Sequence, residues 1–367
     1  MKLCITMEKD KIKLIFKTFK LPFIVLFFLI LISELNQLGM GEEYLYLWKN
    51  LASHILGIGI LVFLGFLGDY RKITLKIVFS IYIFLNFILL ICLLFQKRWL
   101  NLGFFNLQPS EFIKPLLIFL ISLIVVKEAS IYLSLKTLLK LMGLILVPLI
   151  FIAPLDLDYA FIMGGMFVFF VLFLGIPKRV LLILILIGAL VSILMVPLGW
   201  SKLKPHQKGR ILGYLYPEKY SQTWGYQLNQ SLIAVGSGGI IGQGFKKGWS
   251  TKLHYLPAKR TDLAFAVWSE TWGLIGVSVF LFLYGFLVYY AILVSETAKD
   301  LLGKYLSLGI ALILFWQAFF NIGGVIGLLP MTSIPLPFIS YGGSITVSTY
   351  ILISLLFNIA FKRTFFK

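Results

Sequence analysis

With 367 residues, 60% of them hydrophobic and 13% charged, and a mean hydropathy of +0.96, this chain cannot keep its surface in water; soluble proteins average roughly 45–50% apolar and 25% charged. Apolar runs recur along the whole length with no interval long enough for a soluble domain, so 1–367 reads as a single membrane-embedded unit, and no nucleic-acid partner is expected. The net charge of +18 has to be read by position, because Lys and Arg placement sets the orientation of membrane spans.

A hydrocarbon core about 30 Å thick needs roughly 20 apolar residues per helix. On that measure the sequence predicts an all-α, polytopic membrane protein of about ten transmembrane helices, near 21–39, 51–68, 74–95, 110–127, 139–155, 157–175, 179–199, 263–293, 304–328 and 341–361. A basic stretch, Lys9 to Lys20, precedes the first run and no small-residue cleavage site follows it, so that helix is expected to stay as an anchor. Cys4 and Cys92 offer no disulfide framework.

Placing the N-terminus in the cytoplasm puts 19 basic residues on the inner side, against Lys49, Lys97 and Arg98 in the short outer loops. The long segment 200–262, between the seventh and eighth spans, is then extracytoplasmic. It carries ten Lys or Arg but only Glu218 and Asp262, which asks for an anionic partner. Lipid headgroups are one such partner and a bound substrate is another. Within it, Tyr226–Val235 predicts a short interfacial helix with Leu228, Leu232 and Val235 on one face and Gln227, Gln230 and Ser231 largely on another. The run Gly236–Gly244, including Gly238 and Gly239, follows as either a tight turn or a close backbone approach. It lacks the Lys-Ser/Thr of a nucleotide-binding loop.

Charged groups at span edges are costly, by roughly 2.5–3.5 kcal/mol each on insertion scales, so each is a candidate for function. Glu111 and Lys114 are three residues apart and share a helical face, either as a structural ion pair or as a phosphate contact. Asp156 and Asp158 look like a turn in which Asp156 could hold a basic partner. Asp262 precedes an apolar helix at the outer face, where it is either an N-cap or a working carboxylate. Glu270, eight residues on, is expected on a similar face as support. His54, His206 and His254 show no ligand spacing, and no Ser/His/acid set appears.

Several segments together resemble the SEDS family of membrane glycosyltransferases, which includes RodA, FtsW and SpoVE. They are Gln108-Pro-Ser-Glu-Phe-Ile-Lys114, Leu203-Lys-Pro-His-Gln-Lys-Gly-Arg-Ile211, Pro217-Glu218, Gly225-Tyr-Gln227, Gln230-Ser231, Gly236-Ser-Gly-Gly239, Leu256-Pro257, Thr261-Asp262 and Asn321-Ile-Gly323, then the stretch from Gly327 through Ile334-Pro-Leu-Pro-Phe338 to Ser344. Ile334-Pro-Leu-Pro-Phe338 is most similar to RodA. Ala153-Pro-Leu-Asp-Leu-Asp158, Ser333 and Ile345 depart from the family pattern, with Asp156 still in line with the family's Asp.

The resemblance implies a peptidoglycan glycosyltransferase that joins lipid II disaccharides into β-1,4 strands for elongation and shape, in the bacterial cytoplasmic membrane with its active site outside. It implies Asp262 as catalytic base and substrate contacts from Glu111, Lys114, Lys204, Gln207, Arg210, Lys259, Arg260 and Ser340. Support would come from Asp156, Glu270, Gly238 and Gly239. No resident metal is implied, although a divalent cation (Mg or Mn) could share the diphosphate charge. The implied partners are lipid II, membrane lipid and a class B penicillin-binding protein. A lipid II flippase and a non-catalytic scaffold that activates such a protein are the alternatives.

Overall fold

The computed structural model describes residues 2–41, 44–101, 103, 106–128, 133–176, 182, 204–252 and 256–365. Among them the chain is helical apart from a two-residue hairpin pairing Leu100–Asn101 with Asn106–Leu107. The membrane-length helices are α1 (Lys2–Gly39), α2 (Tyr44–Val62, extended by a π-turn to Leu67), α3 (Leu75–Leu94), α4 (Pro109–Glu128) and α5 (Leu135–Ile152). After α6 (Leu157–Phe173) come three short helices, α7 (Pro205–Leu215), α8 (Tyr226–Gly238) and α9 (Trp249–Lys252). The chain then completes α10 (Ala264–Thr297), α11 (Leu301–Val325) and α12 (Gly343–Phe365).

Eight of these helices are long and apolar enough to cross a membrane, and the chain is a multi-pass membrane protein. Helix α6, at 17 residues, falls just short of that length, and the span expected at 179–199 lies outside the described residues. Helix α2 starts seven residues before the hydropathy limit of 51, because Tyr44, Tyr46 and Trp48 belong to the amphipathic class that sits at a membrane boundary.

Helices α12 and α4 form the centre, buried over 89% and 72% of their most apolar windows, while α3, α5 and α10 present most of theirs outward. The loops gather at two ends. At one, Tyr70 Oη bonds Asp300, Lys362 Nζ lies 3.6 Å from Asp69, and Arg363 bonds Thr297. At the other lie Arg98, Asp156, Asp158, Arg210 and Asp262. Loops that the alternation of spans assigns to one side of the membrane therefore meet at one end of the bundle.

Helix α10 has 34 residues, about 50 Å at 1.5 Å per residue, well beyond the hydrocarbon core. Its overhanging first turns end at Gly273, where φ is +62° and the helix breaks. In an unbroken helix the amides of 274 and 275 would bond to the carbonyls of 270 and 271. Instead Leu274 N donates to Gly239 O (2.9 Å) and Ile275 N to Ile240 O (3.1 Å), while Gln243 N and Gly244 N donate to the freed Glu270 and Thr271 carbonyls at 2.9 and 3.1 Å. The 239–244 loop is thus spliced into the helix, pairing the two amides and two carbonyls that the break would strand in a partly buried site. A Cβ on Gly242 would collide with Thr271 O, and one on Gly238 with Ser269 O, so the glycines serve the close approach.

That approach corrects the expected faces of α8. Its buried residues are Leu228, Ser231, Ala234 and Gly238, whereas Leu232 is 40% exposed. Small residues let α8 pack tightly on neighbouring backbone, and Ser231 Oγ reaches Val325 O at 2.9 Å.

Candidate active site

Asp262 lies in the turn that leads into α10, one residue before the capping position. Leu263 occupies that position without a side-chain cap, so Asp262 does not cap the helix. The turn is closed by Thr261 N and Leu263 N donating to Ala258 O at 3.0 and 3.2 Å. Three consecutive carbonyls are then held from outside by the segment after α11 and by α11 itself. Tyr341 N donates to Arg260 O (2.7 Å), Ser340 Oγ to Thr261 O (2.6 Å) and Asn321 Nδ2 to Asp262 O (3.1 Å). Asn321 also donates to Ile334 O at 2.8 Å, and Ser340 Oγ accepts from Leu336 N at 2.9 Å, so each clamp is itself fixed.

The Asp262 carboxyl is pushed up to about 6. Burial is the main cause; Arg210 opposes it, Asp156 adds to it, and the Thr261 side chain and Arg98 oppose it again. Such a group is largely ionised at neutral pH yet basic enough to take a proton, the balance a general base needs.

Around it stand two arginines already paired. Arg98 Nη1 lies 2.8 Å from Asp156 Oδ2 and its Nε donates to Leu155 O at 2.7 Å. Asp156 caps α6 through Tyr159 N (3.3 Å) and accepts from Ser333 Oγ at 2.9 and 3.0 Å. Arg210, from α7, pairs with Asp158 in the first turn of α6. The non-family Asp158 and Ser333 therefore both have defined partners. The sequence shows Arg98 only as a loop charge, Asn321 as part of a family-like segment and Ser333 as a departure from it; their partners are not legible locally, being 58, 59 and 177 residues away.

Two cavities lie in this region. One of about 360 Å³ is lined by Arg210, Asp158, Gln207 and Thr332 at its polar edge and by Phe161, Phe320 and Met331 along its walls. The other, about 330 Å³, is lined by Lys49, Ser53, Trp99, Asn106, Thr261, Tyr341 and Gly342. Asp262 lines neither; it is partly buried, feels the charge of Arg210 on the wall of the first, and follows Thr261 on the wall of the second. On the second side, the Arg260 guanidinium sits 4.8 Å from the Tyr46 ring centroid, and Tyr46 meets Tyr341 edge-on at 5.1 Å.

Other candidates fall elsewhere. Lys114 Nζ and Glu111 Oε2 are 2.6 Å apart, the residues 3% and 1% exposed, and Tyr159 Oη donates to Glu111 Oε1 at 2.9 Å. This pair lines neither cavity; it fastens α4 to α6. Ser340 is 2% exposed and occupied on both sides by backbone. Lys204 is exposed at the start of α7, where its amide donates to Gln207 Oε1 at 2.9 Å, and Lys259 is partly exposed. Glu270 does not share Asp262's face, since Asp262 precedes the helix. It is fully buried and accepts from Ser250 N (3.1 and 3.2 Å), Ser250 Oγ and Ser237 Oγ (3.5 Å). Gly239 ends α8 with φ +52°. Among the described residues, no group of three or more His, Cys, Asp or Glu is placed to hold a metal ion.

The model of the cell cycle protein family of FtsW, RodA and SpoVE matches residues 11–364. The peptidoglycan glycosyltransferase MrdB of Escherichia coli K12 is 34% identical over 252 residues, 68% of this chain and 66% of that protein. An FtsW relative from Coxiella burnetii is 32% identical over 353 residues, covering 91% and 92% of the two chains. Among solved structures, RodA of Thermus thermophilus superposes with a TM-score of 0.67 at 22% identity, over 94% of this chain and 97% of that one. A chain of a peptidoglycan synthase complex, described as coordinating polymerization and crosslinking, gives 0.71 at 23% identity, covering 95% and 98%.

Proposed function

Because the chain belongs to the FtsW, RodA and SpoVE family, we propose that it is a peptidoglycan glycosyltransferase that polymerises lipid II, with Asp262 as its base. The observation that carries this reading is the state of Asp262: its backbone is clamped at three successive carbonyls, while its carboxyl, raised to about 6, feels the charge of Arg210, which lines one cavity, and follows Thr261, which lines another.

Glycosyl transfer between two lipid-linked sugars needs one proton removed from the acceptor hydroxyl as it attacks the donor's anomeric carbon. The diphosphate leaves as a stable anion and needs no acid, so a single carboxylate suffices, unlike the carboxyl pair of glycoside hydrolases. In-line attack on an α-linked donor gives the β product. Charge growing on the leaving group calls for fixed cations. Arg210 supplies one at the polar edge of the 360 Å³ cavity, whose apolar walls suit a polyprenyl tail. Lys49 stands in the second cavity, with Arg260 beside it over Tyr46. Donor and acceptor would occupy the two cavities, with the Asp262 turn between them.

A divalent cation, Mg or Mn, would arrive on the diphosphate, since Asp156 and Asp158 are already engaged by Arg98 and Arg210. Excess basic residues in the inner loops support an active site outside the cytoplasmic membrane of a bacterium. A class B penicillin-binding protein would cross-link the strands, and the RodA-like Ile334–Phe338 stretch favours a role in elongation and shape.

Purified protein given labelled lipid II tests the reading. The wild type is expected to build glycan polymer and the folded Asp262→Asn variant to build none. Normal polymer from that variant removes Asp262 from the role; lipid movement across a vesicle bilayer without polymer makes the protein a flippase. Polymer that appears only with an intact partner polymerase makes it a scaffold.

A further inference from the structure

A cavity larger than those lined by Arg210 and by Thr261 lies away from Asp262, on the outer side of the bundle between α3, α4 and α5. It is a groove of about 560 Å³ with apolar walls that include Phe79, Tyr82 and Leu144, and two lysines, Lys76 and Lys140, stand at one end. Both are exposed, Lys76 in the first turn of α3 and Lys140 in the second turn of α5. From Lys76 to Tyr82 and from Lys140 to Val147 the groove runs about 10 Å along each helix, at 1.5 Å per residue. That depth fits one leaflet of a core about 30 Å thick. Gly143 opens the wall, since a Cβ there would meet nothing within 4 Å. At the deep end Tyr82 Oη is satisfied by Leu144 O at 2.7 Å, so the interior asks for no polar ligand.

The lysine end is the end of the bundle that holds Asp69, Asp300 and Lys362, opposite the Asp262 cluster. Lys127 adds a third cation in the last turn of α4, and Glu128, the carboxylate beside it, accepts from Ser134. An occupant therefore has an anionic head at the Lys76–Lys140 mouth and a hydrocarbon body. A polyprenyl diphosphate bound for Asp262 would carry its charge at the other face of the membrane. We propose that this groove binds an anionic glycerophospholipid of the phosphatidylglycerol class from the leaflet opposite the active site. The leaflet assignment rests on the two-ended arrangement of charges and not on the glycosyltransferase reading. Basic pockets between transmembrane helices recognise such headgroups through the same combination of charge and apolar seat.

Native mass spectrometry of the full-length protein, released from micelles containing equal phosphatidylglycerol and phosphatidylcholine of matched chains, tests it. Wild type should retain phosphatidylglycerol preferentially, and the preference should fall about five-fold for each lysine removed in Lys76→Gln and Lys140→Gln. Gly143→Leu keeps the charges but fills the groove, and should lower retention of phosphatidylglycerol without changing elution on gel filtration. Equal retention of both lipids by wild type, or unchanged preference in the double lysine variant, overturns the proposal. So does displacement of bound phosphatidylglycerol by equimolar undecaprenyl diphosphate, which would hand the groove to the substrate. Lipid II polymerisation, measured in parallel, reports separately on Asp262.

Discussion

Asp262 and Glu270 stand eight residues apart at the same end of α10, and the protein treats them in opposite ways. Both oxygens of Glu270 are spoken for by the Ser250 amide and hydroxyl and by Ser237, so the side chain is held by fixed donors. Asp262 has its backbone fixed and its carboxyl left to burial, to a hydrogen bond from the Thr261 side chain, and to arginines that are paired with other acids. A carboxylate that must hold a loop is saturated with hydrogen bonds, which fix it in place. One that must exchange a proton has to be immobilised through its main chain instead, because every donor placed on its oxygens would lower its basicity.

Exchanging the two residues' amide isosteres should expose the contrast. Asp262→Asn removes the proton acceptor and should lower polymerisation by at least about 10²–10⁴-fold, the usual worth of a general base. Glu270→Gln replaces an acceptor oxygen with an NH₂ facing the Ser250 donors, costing about 1–3 kcal/mol of stability. Its expected signature is a lower melting midpoint with polymerisation at low temperature within a few-fold of wild type. If Glu270→Gln abolished polymer at full stability, the division of labour between the two carboxylates would have to be redrawn.

The clamps on the Asp262 turn offer a smaller and more graded test. Asn321→Ala frees Asp262 O and also Ile334 O, and a base displaced by about 1 Å can lose on the order of 10²-fold in rate. Ser340→Ala removes one clamp, one residue earlier, and should cost less, on the order of 10-fold, with little change in affinity for lipid II. An Asn321→Ala enzyme with wild-type turnover would mean that the turn holds its shape without that contact.

How much of this was visible in the chain itself follows the range of the interactions. Hydropathy located the membrane helices, because burial in lipid depends on local composition, and basic residues marked which loops share an end. Asp156 as a holder of a basic group was also legible, although Arg98 as its partner was not. Asp262 stood out through its neighbours in sequence, yet its clamp was hidden: Asn321 sits in an apolar helix and serves a carbonyl 59 positions away. The splice at Gly273 was invisible for the same reason. A hydropathy window sees an uninterrupted span, while the bonds that replace the broken turn come from residues about thirty positions earlier. Lys114 and Glu111 show the reverse case, in which helical spacing gave the pair and left both the structural ion pair and the phosphate contact open, while the burial that closes it off was not legible.

The finest test of the Asp262–Glu270 contrast uses pH. Burial raises Asp262 to about 6, above the ordinary carboxylate value of 3.8, so folding favours its protonated form. The stability this gives is full below about pH 4 and is lost as pH rises through 6. At neutral pH the ionised carboxyl therefore costs the folded protein something, at most about 3 kcal/mol for a shift of this size. Asp262→Asn removes that cost. The inactive variant is expected to melt a few degrees higher than wild type at pH 7.5, with the gap closing as the pH is lowered towards 4. Polymerisation by wild type should decline over the upper part of the same window, as the base becomes protonated below about pH 6. A wild type and Asn variant with the same midpoint at every pH would mean that the carboxyl is solvated like any surface acid. The activity profile would then have to be traced to another group.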